Sequence, residues 1–250
     1  MLFRVSEDSL ESMICTEDLV NTCRSILRYI DRSGFKIAMS AQNRFVEVGR
    51  GFSSRVFLAY RTDGSIAALK IRKAMSKRDT LAIEGYILKL LMGSEIAPRV
   101  YSYGDDYILM EYISGISIGK ALELYRRGII GELYIRRAIT STLKALYKLD
   151  TLGIDHLEIG DPRKHMILQH GIPNMVRIID FESATLKPNP NNIPRFFGGF
   201  IMRRARWILS DAIKEALELV KTYKRLHGIK NQIVLRLIAI LESKEPKAVI

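Results

Sequence analysis

The sequence of 250 residues has few cysteines, a single tryptophan and no long apolar run. Its two cysteines, Cys15 and Cys23, have no metal-ligand spacing and no histidine nearby, so they exclude a cysteine-based metal site and are expected as buried free thiols. The longest apolar stretch, residues 233–241, is interrupted by Arg236 and is far shorter than the ~18 residues that a membrane-spanning helix needs. No secretory signal pattern opens the sequence. We therefore expect a cytoplasmic protein with no membrane partner.

The composition is that of a globular protein with a strong basic excess. Hydrophobic residues make up 48% of the chain and charged residues 26%, which provides enough apolar side chain for a core. The formal net charge is +12, and the excess clusters in residues 195–225. The basic residues of that cluster are Arg195, Arg203, Arg204, Arg206, Lys214, Lys221, Lys224 and Arg225. Such a field attracts nucleotides, RNA or an acidic protein partner, and a solvated basic helix face is the alternative interpretation.

Hydrophobic periodicity divides the chain into three parts. Thr16-Glu17-Asp18 predicts a helix cap before apolar positions at helical spacing, so residues 1–45 are interpreted as an N-terminal helical extension. Short strands between residues 45 and 112 predict a small antiparallel sheet with one helix, at residues 79–91. The remainder is mainly helical, with one hairpin at residues 165–179. The predicted fold class is therefore α+β.

A glycine turn between two apolar segments predicts a phosphate-binding loop. Gly49, Gly51 and Val56 match the kinase-type pattern G-x-G-x-x-G-x-V, with Ser54 in place of the third glycine and Ser53 beside it. Glycines without a Cβ let backbone N–H groups approach phosphates closely. An ordinary hairpin turn is the alternative. No G-K-[ST] follows, so a P-loop fold is disfavoured.

Lys70 and Glu84 are predicted to form a buried ion pair. Lys70 lies in a run of apolar and small residues that matches the V-A-I-K position, whose lysine contacts the α- and β-phosphates of ATP. Glu84 falls on the apolar stripe of the predicted helix, together with Leu81 and Leu88. A carboxylate that faces the core needs a cationic partner because its desolvation is costly. Two unrelated surface charges are the alternative interpretation.

Asp180 is a candidate metal ligand. It ends the apolar strand 176–179 and begins Asp180-Phe181-Glu182, at the position of the metal-binding D-F-G motif. A carboxylate there is a suitable ligand for Mg²⁺ or Mn²⁺ that bridges phosphates. An aspartate that merely ends the strand is the alternative.

Together these motifs resemble the protein kinase-like superfamily. They are most similar to its small archaeal branch of RIO-type kinases and to the minimal kinase associated with the tRNA-threonylcarbamoyladenosine machinery. Gly153-Ile154-Asp155-His156, Lys164-His165-Met166-Ile167 and Ile178 to Ala184 resemble motifs of predicted archaeal serine/threonine kinases. The likeness extends from Val46 to Ala184.

The resemblance implies a two-lobed kinase-like fold. It implies an N-lobe at residues 46–113, with a small antiparallel sheet and one helix, and a reduced, mainly helical C-lobe at residues 114–250. It also implies that the backbone at Glu111, Tyr112 and Ile113 binds the adenine of ATP.

The catalytic loop departs from the family pattern H-x-D-x-x-x-x-N. His165 takes the asparagine position nine residues after His156, where the pattern has seven, and Glu158 takes the aspartate position. Glu158 is the first candidate for accepting the proton of the substrate hydroxyl, Asp161 the second and Asp155 the third. His165 is a candidate metal ligand that suits Mn²⁺ better than Mg²⁺.

The sequence therefore predicts a phosphotransferase that depends on ATP and on Mg²⁺ or Mn²⁺. An atypical serine/threonine protein kinase acting on a protein substrate is the first interpretation. A nucleotide-binding scaffold or ATPase is the alternative. Its basic surface would dock RNA or a tRNA-modification complex.

Overall fold

The computed structural model describes residues 14–42, 44–209, 212–226 and 228–242. These form two compact units. The first comprises the described residues up to Ser94 and Pro98–Tyr112, and the second comprises Glu95–Ala97 and the described residues from Ile113 onward. Antiparallel sheets and helices occur together, which confirms the predicted α+β class. Within the described ranges, no helix is both long enough and apolar enough to cross a membrane.

The described residues of the first unit include two helices and six strands. In chain order these are α1 (Cys23–Arg32), β1 (Phe35–Ile37), β2 (Glu47–Arg50), β3 (Ser54–Arg61), β4 (Ile66–Arg72), α2 (Ala82–Leu90), β5 (Val100–Tyr103) and β6 (Tyr107–Glu111). All neighbouring strands are antiparallel, in the order β1-β3-β4-β6-β5, and β2 pairs with the other half of β3. The segment predicted as a helical extension therefore also supplies an edge strand to this sheet.

Side chains point to the two faces of the sheet alternately along each strand. Phe57, Leu69 and Leu109 lie opposite one another on β3, β4 and β6, and their side chains are buried in a core that includes α1. The next register row, on the other face, is Val56, Lys70 and Ile108. A lysine therefore occupies a central position of the sheet, on the face opposite α1.

The N-terminal region differs from two predictions. The helix begins at Cys23 and not near Thr16, because residues before it form turns, and Leu19 makes an isolated bridge with Lys73. The prediction of two free thiols is wrong, since Cys15 and Cys23 form a disulfide. The turns bring their Cα atoms to 5.6 Å, a separation within the usual range for a disulfide.

In the second unit, the part of the chain that the structure describes includes six helices and five short strands. In chain order these are β7 (Gly115–Ser117), α3 (Ile118–Arg126), α4 (Glu132–Thr151), β8 (Ile154–Asp155), β9 (Met166–Gln169), β10 (Val176–Ile178), β11 (Thr185–Leu186), α5 (Asn192–Phe196), α6 (Met202–Arg204), α7 (Ile213–Arg225) and α8 (Lys230–Glu242). Short 3₁₀ helices occur at Glu158–Gly160 and Arg206–Ile208, and a π-helix at Phe197–Ile201. The predicted hairpin corresponds to β9 and β10.

Helix α4 forms the centre of the second unit. Its residues Ile135, Ile139, Leu143 and Leu146 are fully buried, and the helix packs against α8, α5 and α3. Each such side chain stabilises the fold by roughly 1.5–3 kcal/mol through removal of apolar surface from water. This core supports the loops between β8 and β9 and after β10, where Glu158, His165 and Asp180 lie.

Candidate functional site

The first unit contains the predicted ion pair. Lys70 Nζ on β4 lies 2.7 Å from Glu84 Oε2 on α2, and the two side chains are only 5% and 2% exposed. Such a pair is held in a water-poor environment, where its mutual attraction is strong but its desolvation is costly. The pairing predicted from the sequence is therefore present in the structure.

Close packing of α2 on the sheet positions the glutamate. A Cβ added at Gly85 would come within 2.4 Å of the Tyr103 ring, so a glycine is needed for α2 to approach β5 this closely. Glu84 precedes that contact and is itself buried. The helix thus brings its carboxylate onto the sheet face that carries Lys70.

The glycine turn is fixed from below by the segment that follows β4. Lys73 donates from its backbone N–H to the carbonyl of Ser53 at 2.8 Å and from Nζ to the carbonyl of Gly51 at 2.9 Å. The Gly51 N–H donates to the Ser54 carbonyl at 2.9 Å, and both serines are buried. A Cβ at Gly49 would meet nothing closer than 3.5 Å, and one at Gly51 nothing closer than 3.7 Å. Packing of the described chain therefore does not require these two glycines.

The predicted adenine-binding residues fall in different units. Glu111 ends β6, where its N–H donates to the Arg99 carbonyl at 2.8 Å and its carboxylate accepts the Arg99 N–H at 3.1 Å. Ile113 belongs to the second unit. Val56 lies directly opposite Lys70 on the neighbouring strand.

Three residues of the second unit come together as a carboxylate–imidazole cluster. His165 Nε2 lies 3.3 Å from Glu158 Oε2, and His165 Nδ1 lies 3.8 Å from Asp180 Oδ2. One donor atom from each residue lies within 4.8 Å of the others, which is compatible with a shared metal ion. The imidazole is 16% exposed, and the two carboxylates are 42% and 43% exposed. The structure thus brings together the first catalytic candidate and both metal-ligand candidates.

The backbone at this cluster is held in sparsely populated conformations. Asp180 has a φ of 65° and Leu157, beside Glu158, a φ of 62°. Non-glycine residues with positive φ are uncommon, and they tend to occur at functional sites. A donor set that includes the imidazole of His165 fits Mn²⁺ better than Mg²⁺, which prefers oxygen ligands.

His156 stabilises the loop from beneath the cluster. Its Nε2 lies 3.2 Å from the Ile179 carbonyl oxygen, and its ring contacts those of His165 and Phe181. Burial lowers the pKa of His156, so the ring is neutral near pH 7. This packing links the loop before β9 to the segment after β10.

The other two catalytic candidates lie outside the cluster. Asp161 accepts hydrogen bonds from Arg163 Nε at 2.7 Å and Nη2 at 2.6 Å, and this contact lowers the pKa of Asp161. Asp155 is fully buried and forms ion pairs with Arg195 and Lys187. Burial raises the pKa of Asp155, but the two cations hold it below its usual value. The contacts therefore favour Glu158 over both alternatives.

Two functional candidates were missed by sequence reasoning. Ser183 Oγ donates to Glu158 Oε1 at 2.5 Å, which places a hydroxyl directly on the candidate base. The fully buried Asn192 accepts the His156 N–H at 3.0 Å and donates from Nδ2 to Asp150 at 2.7 Å. Ser183 lies two residues after Phe181, next to the motif that contains Asp180, and this closeness could have identified it as a site residue. Nothing in the sequence near Asn192 identifies its partners.

No family model matches the chain. The uncharacterized protein MJ1211 of Methanocaldococcus jannaschii is 32% identical to it over 125 residues, which represent 47% of this chain and 100% of that protein.

Proposed function

We propose that this chain, which belongs to the same family as the uncharacterized protein MJ1211, is a phosphotransferase dependent on ATP and a divalent metal. It transfers the γ-phosphate of ATP to a hydroxyl group, as an atypical serine/threonine protein kinase. In this proposal the first unit is the N-lobe of a kinase-like fold and the second unit is its C-lobe.

The observation that carries the proposal is the buried pair of Lys70 and Glu84. A buried ion pair is weak evidence for stability, because apolar residues of similar volume stabilise a core equally well. A lysine kept at the centre of a sheet face is therefore better explained by a ligand that needs its charge. Phosphates of ATP are such a ligand, and the glutamate holds the ammonium in place for them. The nearby glycine turn, which packing alone does not require, supports the same ligand.

The second unit supplies the groups that the chemistry needs. Asp180 and His165 would hold the divalent metal, which neutralises charge on the transferred phosphate when bound. Glu158 orients the acceptor hydroxyl and accepts its proton. Asp161 is engaged by Arg163 and takes no part in the reaction.

Transfer of label from γ-labelled ATP tests this function. Lys70→Ala and Asp180→Ala are expected to abolish transfer in the presence of Mg²⁺ or Mn²⁺, and Asp161→Asn is the matched control that retains it. Thermal unfolding of each variant verifies that it is folded. Undiminished labelling in both alanine variants would exclude the proposal.

A second candidate function is a nucleotide-binding scaffold that docks RNA. Trp207 stacks on Tyr125 with ring centroids 4.6 Å apart and an interplanar angle of 10°. Arg203, Arg204 and Arg206 are exposed and lie within four positions of Trp207 in the sequence. Exposed aromatic rings among arginines are typical of surfaces that bind single-stranded nucleic acid.

RNA titrations at several salt concentrations distinguish this candidate. The scaffold function requires RNA affinity that falls steeply with salt, together with ATP binding and no phosphate transfer. Replacing Arg203, Arg204 and Arg206 by glutamine is expected to flatten that salt dependence. RNA affinity that is insensitive to ionic strength would eliminate the RNA function.

A further inference from the structure

We propose that Ser183 is an internal phosphate acceptor, which the chain phosphorylates in cis. The proposal rests on the phosphotransferase function above and assigns that function its first acceptor. The hydroxyl of Ser183 donates a 2.5 Å hydrogen bond to Glu158 Oε1. A substrate hydroxyl must make this contact with the group that accepts its proton.

The surroundings of this hydroxyl are those of an acceptor site. The other oxygen of Glu158, Oε2, lies 3.3 Å from His165, whose second ring nitrogen lies 3.8 Å from Asp180. The serine hydroxyl is therefore hydrogen-bonded to a carboxylate that is itself part of the carboxylate–imidazole cluster. Glu158 is 42% exposed, so a phosphate donor can reach it from solvent.

The alternative role for Ser183 is to fix the carboxylate of Glu158. A hydroxyl used only for that purpose contributes one hydrogen bond to a charged group and is not itself modified. The two roles predict different outcomes, because only an acceptor becomes covalently modified. An acceptor on Glu158 also competes with any external hydroxyl for the same carboxylate oxygen.

Phosphate transfer to Ser183 forms one bond to phosphorus and breaks another. The proton of the Ser183 hydroxyl moves to Glu158 as Oγ forms a bond with the γ-phosphorus of ATP. The bond between that phosphorus and the oxygen bridging to the β-phosphorus breaks, and ADP leaves. The product is phosphoserine at position 183. Because base and acceptor are in contact within one chain, transfer occurs within a single molecule.

Mass-spectrometric mapping after incubation with ATP and Mn²⁺ tests the inference. A single phosphate is expected on Ser183. The fraction of chains phosphorylated per unit time is expected to stay the same when the protein is diluted 10-fold. Ser183→Ala and Glu158→Gln are expected to remove it. Thr185→Ala is the matched control, because Thr185 is an exposed hydroxyl two residues away and its loss leaves the label in place.

Two further variants distinguish a Ser183 that accepts phosphate from one that only holds the Glu158 carboxylate in place. Ser183→Thr keeps a hydroxyl and is expected to yield phosphothreonine, so the test survives if the alanine variant does not fold. Ser183→Ala is expected to increase phosphate transfer to an added protein acceptor such as casein at least two-fold, since it frees the carboxylate. A purely supporting serine predicts a decrease instead, and that decrease would overturn the inference.

The failure of this inference is distinguishable from failure of the proposed function. Phosphate on casein or on another residue, with Ser183 unmodified, overturns the internal acceptor and leaves the phosphotransferase standing. No phosphate on the chain or on casein, in a protein that is folded and binds ATP, rejects both.

Discussion

Lys70 Nζ lies 2.7 Å from Glu84 Oε2, although the two residues are 14 positions apart and both are buried. Removing one partner leaves an uncompensated charge in the core, so Lys70→Met is expected to destabilise the fold by about 3–5 kcal/mol. The double variant Lys70→Met/Glu84→Leu is expected to recover most of this stability. Denaturant unfolding measures both effects.

Nucleotide affinity in the same variants separates stability from function. Binding of a fluorescent ATP analogue is expected to be lost in the single and the double variant, because both lack the ammonium. Recovery of binding along with stability in the double variant would show that Lys70 has only a structural role.

A pair of glycine substitutions distinguishes ligand contact from packing. Gly51→Ala is expected to change stability by no more than about 0.5 kcal/mol, because its Cβ has room, yet to weaken ATP binding. Gly85→Ala is expected to destabilise the fold by about 1–3 kcal/mol, because its Cβ would overlap the Tyr103 ring. Thermal unfolding and nucleotide titration measure the two effects. Equal ATP affinity in wild type and Gly51→Ala would contradict a phosphate-binding turn.

The imidazole of His165 is expected to set metal preference. His165→Asn replaces a ring nitrogen by an amide oxygen, which suits Mg²⁺ better, so the ratio of Mn²⁺ to Mg²⁺ affinity is expected to fall by about 10-fold or more. Isothermal titration with each ion measures the ratio. His170→Asn is the control, since His170 lies in the turn between β9 and β10 with its N–H bonded to Ser114. An unchanged ratio in His165→Asn would remove His165 from the ligand set.

Glu47 is expected to give stability that depends on pH. Hydrogen bonding from Arg50 is the main cause that lowers the pKa of Glu47 from 4.5 to about 2. Burial opposes this shift, and Arg55 adds to it. A lowered carboxyl pKa adds stability that is fully present above pH 4.5 and is lost as pH falls towards 2. The stability difference between wild type and Glu47→Gln is therefore expected to be largest above pH 5 and to shrink below pH 4. A difference that stays constant from pH 6 to pH 3 would refute this assignment. Denaturant titrations across that pH range provide the measurement.

The Cys15–Cys23 disulfide is expected to stabilise the first unit. Closing a loop with a sequence separation of 8 restricts the unfolded chain, which corresponds to about 2.5 kcal/mol in the chain-entropy account. Reductant is therefore expected to lower the unfolding temperature of the wild type. Cys15→Ser/Cys23→Ser is expected to start at the lower temperature and to show no response to reductant. If reductant lowers the unfolding temperature of both proteins equally, the disulfide is not the cause of that decrease.

Local periodicity was sufficient to predict much of the fold and part of the site. The pairing of Lys70 with Glu84 follows from a strand and a helix whose inward faces can be read from neighbouring apolar residues. Motif spacing identified Glu158, His165 and Asp180, which the structure brings together. Their roles in catalysis and metal binding remain predictions.

The features that were missed depend on contacts between distant segments or on irregular turns. The disulfide required knowledge of how the residues between Cys15 and Cys23 fold back, and periodicity does not report turns. Asn192 contacts His156 across 36 positions, and no local pattern encodes that pairing. Ser183 is close in sequence to Asp180, but its partner Glu158 is 25 positions away.

The contacts of the Asn192 side chain affect the order in which parts of the chain can fold during synthesis. Its oxygen accepts the His156 N–H, and its amide donates to Asp150, which also accepts the Tyr223 hydroxyl at 2.6 Å. When Glu158, His165 and Asp180 have just left the ribosome, Asn192 and Tyr223 have not yet emerged and these hydrogen bonds cannot form. The loop that carries Glu158 therefore gains these hydrogen bonds only after Asn192 and Tyr223 have emerged. Until then, the loop lacks contacts that hold it in the folded protein, whereas every residue of the first unit has already been synthesised.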